Sequence, residues 1–188
     1  MVSVRKLDLI SHGVTDALRA ARFPVDEPLT EAGRAVVADQ ADDAAYDPSR
    51  PDTWMLAGPE RRTMETAELL GLAPMPEPRL RDLDSGDWGG RDMSDLTPAE
   101  AHGWLTDPGY CAHGGESVLE LLDRVRDLMG ELAATAPPRT VAVTHPAVIR
   151  AALVVTLQAT PAAFWRIDVP PGGRTRLHHR GLWTLRLN

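Results

Sequence analysis

The stretch Leu7-Asp8-Leu9-Ile10-Ser11-His12-Gly13-Val14-Thr15 decides how this chain is organised. Its apolar residues are typical of a buried strand, which we predict over residues 4–10. The strand ends before His12-Gly13, where a glycine permits a sharp turn of the backbone. A histidine at this end of a core strand is well placed for chemistry, because ligands of open α/β sheets bind outside the carboxyl ends of the strands. The alternative is a loop histidine without a function, so the interpretation depends on the motifs found further along the chain.

Length and composition limit the classes of protein to consider. The 188 residues suffice for one sizeable core, and we predict a single domain over residues 1–188. The net charge of −7 argues against broad nucleic-acid binding. No apolar run approaches the ~20 residues that a membrane span needs. The only cysteine, Cys111, excludes an internal disulfide and fits a reducing compartment. We therefore expect a cytoplasmic protein without membrane or nucleic-acid partners, and a homodimer stays open.

Helical and strand patterns alternate in the first half of the chain. Thr30 is a suitable N-cap for a helix from Glu31 to about Ala45, before Pro48 and Pro51. We expect this helix to bury its small apolar residues, which are Ala32, Ala35, Val36 and Ala38. A strand at residues 54–57 and a helix at 60–70 come next. Residues 73–110 are rich in Pro, Gly and Asp, and we predict an irregular substrate wall with a short helix near 98–104.

The second half repeats the alternation with clearer signals. Ser117 and Glu120 form a capping box at the start of a helix with a continuous apolar face. A strand at 140–144 ends in His145, and Pro146 can begin the next helix without losing a hydrogen bond. Two or three short strands are predicted over 165–187, with a turn at 170–173. This alternation favours a layered α/β fold with a mainly parallel sheet.

Two histidines and an arginine follow separate elements of this predicted sheet. His12 and His145 each end a strand, and Arg62 lies at the start of the helix after the strand at 54–57. Three strand ends of one sheet can converge on a single crevice, where helix N-termini add backbone N–H groups. Such a pocket suits a dianion such as a phosphate ester. Imidazole is a nucleophile toward phosphorus, and a guanidinium can bind two phosphoryl oxygens.

Six segments resemble, in order, the motifs of the histidine phosphatase superfamily, the phosphoglycerate mutase-like group. They are residues 9–15 (LISHGVT), 26–33 (DEPLTEAG), 58–67 (GPERRTMETA), 80–90 (LRDLDSGDWGG), 115–125 (GESVLELLDRV) and 143–150 (VTHPAVIR). Each motif is weak alone, but the series is specific and covers most of the chain. The resemblance implies a three-layer α/β/α sandwich with a mainly parallel central sheet.

The resemblance also implies an activity and residue roles. It points to hydrolysis of a small phosphorylated metabolite through a phosphohistidine intermediate, without a metal or other cofactor. His12 would be the nucleophile and Arg62 would bind the phosphate. His145 would stabilise the phosphoryl group, and Asp82 stands where the family has its proton donor, usually a glutamate. These roles fit the chemistry, since a leaving alkoxide needs a proton and the equatorial oxygens need fixed donors.

The sequence departs from the family pattern beside the nucleophile. Ser11 replaces the arginine that precedes the histidine in the family motif. Losing one such donor can cost on the order of 3 kcal/mol, or about a hundredfold in rate. Arg22 matches a position that contacts substrate phosphate in relatives and could supply the missing charge. Thr15 and Thr144, beside the two histidines, complete the predicted phosphate-binding set.

Three points remain open at this stage. Asp84 and Asp87 compete with Asp82 for the role of proton donor. Ser11 could mark a branch with other chemistry, such as a lyase, isomerase or dehydratase that uses His12 as an acid–base group. The third interpretation is a protein that only binds anions, although a non-catalytic protein has no need of the nucleophile.

Overall fold

Six strands form one mainly parallel sheet. The computed structural model describes residues 4–41 and 52–187. The strands are β1 (Arg5–Ser11), β2 (Thr53–Ala57), β3 (Met75–Pro76), β4 (Arg139–Thr144), β5 (Arg174–His179) and β6 (Trp183–Arg186). Their order is β3-β2-β4-β1-β5-β6, and the first four run parallel. The antiparallel strands β5 and β6 extend the sheet beyond β1. The predicted mainly parallel sheet is confirmed.

Helices cover both faces of the sheet. They are α1 (Asp16–Arg19), α2 (Glu31–Ala38), α3 (Arg61–Leu69), α4 (Pro98–Thr106), α5 (Val118–Thr135) and α6 (Pro146–Thr156). Leu9 packs with α5 and α6, whereas Ile10 packs with residues of α2 and α3, because successive strand residues point to opposite faces. The fold is therefore the expected three-layer α/β/α sandwich. None of the helices in the described ranges is long and apolar enough to cross a bilayer.

Helix α5 forms as its sequence predicts. Its capping box is present, since the Ser117 side chain accepts a hydrogen bond from the Glu120 N–H and the Glu120 side chain binds the Ser117 N–H. The predicted apolar face is buried along its whole length, at Val118, Leu121, Leu122, Val125, Leu128, Met129 and Leu132. Burial of this face against the sheet and α6 forms the larger part of the core.

Helix α2 is shorter than predicted and buries a different face. It ends at Ala38, residues 39–41 form a turn, and the rest of the predicted helix, with Pro48 and Pro51, lies outside the described residues. The predicted apolar residues Ala32, Ala35, Val36 and Ala38 are exposed, and Gly33 and Val37 are buried instead. A Cβ at Gly33 would lie 2.5 Å from the Val14 carbonyl oxygen. Close contact with the loop after β1 therefore selects the buried face.

The glycine after His12 also serves close packing rather than the sharp turn that the sequence suggested. Gly13 does not have a positive φ angle. A Cβ at this position would lie 2.8 Å from a methyl carbon of Val37. The Gly13 N–H donates a hydrogen bond to Thr66 Oγ1 on α3 at 3.0 Å. Helices α2 and α3 thus fix the backbone next to the histidine.

The segment between α3 and α5 is irregular, as predicted for residues 73–110, but contains short regular pieces. They are β3, the 3₁₀ helices Pro78–Leu80, Gly86–Trp88 and Met93–Asp95, and helix α4. The predicted short helix near 98–104 corresponds to α4. A further 3₁₀ helix, Pro161–Arg166, follows α6.

Candidate active site

The two histidines lie together because their strands are neighbours in the sheet. Strands β1 and β4 run parallel, and Ser11 pairs with Thr144 in their register. His12 and His145 follow these residues directly, at the same edge of the sheet. Their ring centres are 5.2 Å apart, with the ring planes inclined by 66°. The sequence predicted this juxtaposition from the ends of the two strands.

The surroundings of His12 hold its imidazole in the neutral form. Its Nδ1 lies 2.7 Å from the Gly13 carbonyl oxygen, which can only accept a hydrogen bond. The proton therefore resides on Nδ1, and the lone pair of Nε2 is free. Burial, reinforced by the charges of His145 and Arg62, lowers the pKa of His12 to about 3. The ring lines a cleft of about 770 Å³, so an unprotonated nitrogen is available to a ligand.

Arg62 lies beside this histidine at the start of α3. Its side chain is only 3% exposed. One guanidinium nitrogen, Nη1, donates to the Val25 carbonyl oxygen at 2.8 Å, and Nη2 donates to Asp82 Oδ2 at 2.8 Å. Its Nε is buried without a hydrogen-bond partner in the described part of the chain. The guanidinium therefore has one donor without a partner, although the side chain does not itself line the cleft.

Asp82 connects the arginine to the second histidine. Its Oδ2 lies 3.3 Å from His145 Nδ1 as well as 2.8 Å from Arg62 Nη2. Burial by itself would raise the pKa of Asp82, but the charges of His145 and Arg62 outweigh it and hold that pKa well below its usual range. Asp82 also lines the cleft. It is thus an ionised carboxylate near His12.

His145 is enclosed between two carboxylates. Its Nε2 lies 2.9 Å from Glu60 Oε2, and Asp82 faces Nδ1 on the other side. Burial alone would lower the pKa of His145, but Asp82 and Glu60 together raise it above its usual value. The same contact lowers the pKa of Glu60, whose burial acts in the opposite direction. His145 is fully buried and does not line the cleft, and its raised pKa favours the positively charged imidazolium next to Asp82.

Glu60 is the site residue that the sequence analysis did not identify. It occupies the N-cap position of α3 but makes no capping hydrogen bond with its side chain. Its Oε2 contacts His145, and its Oε1 accepts the N–H of Asp82 at 2.9 Å. One carboxylate therefore fixes both the second histidine and the backbone of the acid. Its position in the sequence could have identified it, because Glu60 lies three residues after the end of β2 and within the motif that carries Arg62.

Ser11, which stands where the family has an arginine, lines the same cleft as Arg22. Ser11 is fully buried and lines the cleft, and its hydroxyl has no hydrogen-bond partner within the described residues. Arg22 lines the cleft too, and its buried Nε has no partner in the same part of the chain. A free donor on Arg22 is the feature that a substitute for the missing arginine requires. The role itself stays a prediction.

The remaining predicted residues are only partly brought together. Thr15 lines the cleft, and its hydroxyl accepts the Leu18 N–H as the cap of α1. Thr144 does not line the cleft, because its buried hydroxyl donates to the Leu80 carbonyl oxygen at 2.7 Å.

The structure also separates the three candidate acids. Asp84 and Asp87 are exposed and do not line the cleft. Among these carboxylates, only Asp82 faces the nucleophile.

A buried ion pair supports the backbone around Asp82. Arg124 Nη2 lies 2.6 Å from Glu116 Oε2, and both side chains are less than 10% exposed. The same guanidinium donates to the carbonyl oxygens of Arg79 at 2.7 Å and of Asp82 at 3.2 Å. This contact explains why the segment at 115–125 belongs with the site motifs. It fixes the loop that positions the acid.

Comparisons with known proteins find relatives that match over most of the chain. The sequence profile of the histidine phosphatase superfamily (branch 1) matches residues 7–186. A glucosyl-3-phosphoglycerate phosphatase of Mycobacterium tuberculosis is 30% identical over 179 residues, which cover 86% of this chain and 78% of that protein. Phosphoserine phosphatase 1 of Hydrogenobacter thermophilus is 27% identical over 185 residues, covering 92% and 86%. The solved structure of a mycobacterial glucosyl-3-phosphoglycerate phosphatase in complex with VO3 is 27% identical, with a TM-score of 0.85 and coverage of 97% and 98%.

Proposed function

Because the chain belongs to branch 1 of the histidine phosphatase superfamily and is a phosphomonoester hydrolase, we propose that His12 carries the phosphoryl group between two half-reactions. The single observation that supports this role is the hydrogen bond from His12 Nδ1 to the Gly13 carbonyl oxygen. It leaves Nε2 unprotonated on a ring that lines the cleft, with Arg62 and Asp82 close enough to influence its charge. The substrate is a small phosphorylated metabolite, as the names of the relatives indicate.

In the first half-reaction, His12 Nε2 attacks the phosphorus atom and the bond from phosphorus to the ester oxygen breaks. Arg62 binds the equatorial oxygens, for which Nε is the donor without a partner in the described part of the chain. The imidazolium of His145 stabilises the negative charge that accumulates on the phosphoryl group. Asp82 gives its proton to the leaving alkoxide, which departs as an alcohol.

Asp82 must therefore bind a proton when the substrate binds. Its pKa is low in this structure because Arg62 and His145 are its partners. A phosphate dianion that binds Arg62 competes for the same positive charge and places two like charges beside the carboxylate. Both effects raise the pKa of Asp82. Substrate binding thus converts a paired carboxylate into a proton donor.

In the second half-reaction, water attacks the phosphorus of the phosphohistidine and the bond to Nε2 breaks. Asp82, now a carboxylate, accepts a proton from that water. Inorganic phosphate leaves and His12 returns to its neutral form. The same carboxyl group acts as acid and then as base, so the cycle closes without another titrating residue.

Phosphate release from an activated aryl phosphate tests this proposal. The unmodified protein should release phosphate, and His12→Ala should abolish release. His102→Ala is the matched control, because His102 is exposed on α4 and does not line the cleft. Unimpaired turnover by His12→Ala would refute the role of the nucleophile. Both variants need a circular dichroism spectrum like that of the unmodified protein for the comparison to count.

The hydrolase assignment decides between the interpretations that the sequence left open. The lyase, isomerase or dehydratase and the anion-binding protein have no support among the relatives, which are named as phosphatases. The roles of Ser11, Thr15, Arg22 and Thr144 in phosphate binding remain proposals. A cytoplasmic location, a homodimer and the absence of nucleic-acid partners likewise stay predictions of the sequence.

A further inference from the structure

The outer part of the cleft is mainly apolar. Beyond the reacting groups, its wall includes Leu18, Phe23, Met93, Trp104, Leu105 and Trp165. These side chains come from α1, the loop after it, the 3₁₀ helix Met93–Asp95, α4 and the 3₁₀ helix Pro161–Arg166. Segments that are distant in sequence thus present apolar groups to one volume of about 770 Å³, which also contains His12 and Asp82.

Three of these side chains are about half exposed to solvent. Leu18 is 46% exposed, Met93 is 47% exposed and Leu105 is 56% exposed. A single exposed leucine is common on protein surfaces, but exposed apolar residues that converge on one cleft indicate a ligand that covers them. The cleft is continuous with the predicted site of phosphoryl transfer. The group that covers these residues is therefore the part of the substrate that leaves with the ester oxygen.

Among the charged side chains that line the cleft, Arg22 and Asp82 are assigned above to the phosphoryl group, which leaves Arg150 and Asp168 for the outer wall. Arg150 Nε donates to the Ile167 carbonyl oxygen at 2.8 Å, and its guanidinium lies 5.6 Å from the centre of the Trp165 ring. Asp168 lines the same wall and carries the opposite charge. Together they contribute no net charge, and Arg150 is bound to its own chain through Nε. A carboxylate or an ammonium group on the substrate would lose water here without gaining an equal partner.

We propose that this enzyme hydrolyses phosphomonoesters whose alcohol is uncharged and apolar, an alkyl or aryl group, rather than a sugar or an amino acid. The inference rests on the proposed function, because it concerns the leaving group of that reaction. It separates this chain from the substrates named for its relatives, which are a glucosyl-phosphoglycerate and phosphoserine. The apolar alcohol lies against Leu105, Met93 and Trp104 while the phosphoryl group lies at His12.

A homologous series of n-alkyl monophosphates from ethyl to hexyl tests the proposal. The leaving-group chemistry is nearly constant in this series, so kcat/KM reports contact with the cleft. We expect kcat/KM to rise by about fourfold for each methylene that becomes buried, which corresponds to about 0.8 kcal/mol. Phosphoserine and glycerol phosphate should be poorer substrates than hexyl phosphate. A flat series, or polar substrates that match hexyl phosphate, would overturn the inference.

A matched pair of variants assigns the effect to the cleft wall. Leu105→Asn should reduce the dependence of kcat/KM on chain length, with a larger loss for hexyl phosphate than for ethyl phosphate. Leu119→Asn is the control, because Leu119 is 43% exposed on α5 and does not line the cleft. It should leave the whole series unchanged. Equal behaviour of the two variants would contradict the assignment.

Binding without turnover separates this inference from the proposed function. Hexylphosphonate is not hydrolysed, and tryptophan fluorescence reports on the cleft because Trp104 and Trp165 line it. Hexylphosphonate should bind more tightly than ethylphosphonate. If it does so while no monoester is hydrolysed, the proposed function fails and the apolar site stands. If esters are hydrolysed without dependence on chain length, the function stands and the apolar site fails. If the unmodified protein self-associates and Leu105→Asn abolishes this self-association, a second copy of the chain covers this face. That result would also overturn the inference.

Discussion

Replacing Glu60 by glutamine should move the alkaline limb of the pH profile of kcat/KM toward lower pH by about one to two units. Glu60 Oε2 is 2.9 Å from His145 Nε2 and helps to raise the pKa of that histidine. Glutamine keeps the size of the side chain but removes its negative charge. When the ring is neutral, its proton can lie on Nδ1, which is 3.3 Å from Asp82 Oδ2. Nε2 can then accept a hydrogen bond from the glutamine amide.

The size of the shift is set by the loss of one contact. A hydrogen bond to a charged group contributes about 1.5–3 kcal/mol, and one pKa unit corresponds to about 1.4 kcal/mol. His145 is fully buried and Glu60 is 18% exposed, so solvent screens this pair little. A group with a raised pKa carries its charge below that pKa and loses it as the pH rises. Lowering the pKa of His145 therefore removes the imidazolium, and the activity that depends on it, at a lower pH.

The assay compares kcat/KM profiles of the two proteins with the same substrate. Ionisation of the substrate is then identical in both, and the difference reports the enzyme. An NMR titration of the His145 ring protons gives the pKa directly. Glu131→Gln is the control, because Glu131 is a carboxylate that pairs with Arg79 on the surface of α5. Superimposable alkaline limbs for Glu60→Gln and the unmodified protein would refute the reasoning.

Three further changes test other parts of the account. Ser11→Arg should raise kcat/KM by about a hundredfold, since it restores a donor in the cleft; equal or lower activity in steady-state assays would show that another group already supplies that charge. Arg62→Lys should lower kcat/KM on the order of a hundredfold, because an ammonium cannot replace the two-pronged guanidinium; activity within a few-fold of normal would contradict its role. Leu121→Ala removes a fully buried side chain of α5 and should lower the free energy of unfolding by about 2–5 kcal/mol in urea titrations. Leu119→Ala should change it by less than about 0.5 kcal/mol, and similar losses in both would contradict the packing of α5.

Local patterns predict the elements that carry His12 and the apolar face of α5. The apolar run at 7–10 and the capping box at Ser117 specify structure within a few residues, so periodicity and capping identify them. The pairing of β1 with β4 then agrees with the rule that parallel strands end at one edge. The sequence therefore predicts that the two histidines lie close together.

The sequence analysis was wrong or incomplete where contacts between distant segments determine the structure. The apolar residues of α2 fit a helix equally well whichever face is buried. The close approach of Gly33 to Val14 selects the face, and no local pattern encodes it. The contact of Glu60 with His145 joins residues 85 positions apart. The cleft wall at Met93 and Leu105 lies in a segment without periodicity, so its convergence on the site could not be read from the sequence.

The central claim is that His12 carries the phosphoryl group, and trapping the intermediate tests it most directly. The enzyme is mixed with excess aryl phosphate, quenched in alkali during turnover and digested for mass spectrometry, since phosphohistidine survives base and not acid. The account predicts one added phosphoryl group on the peptide that contains His12, and none in His12→Ala. A phosphoryl group on another residue, or steady turnover with no modified peptide at any quench time, would contradict it.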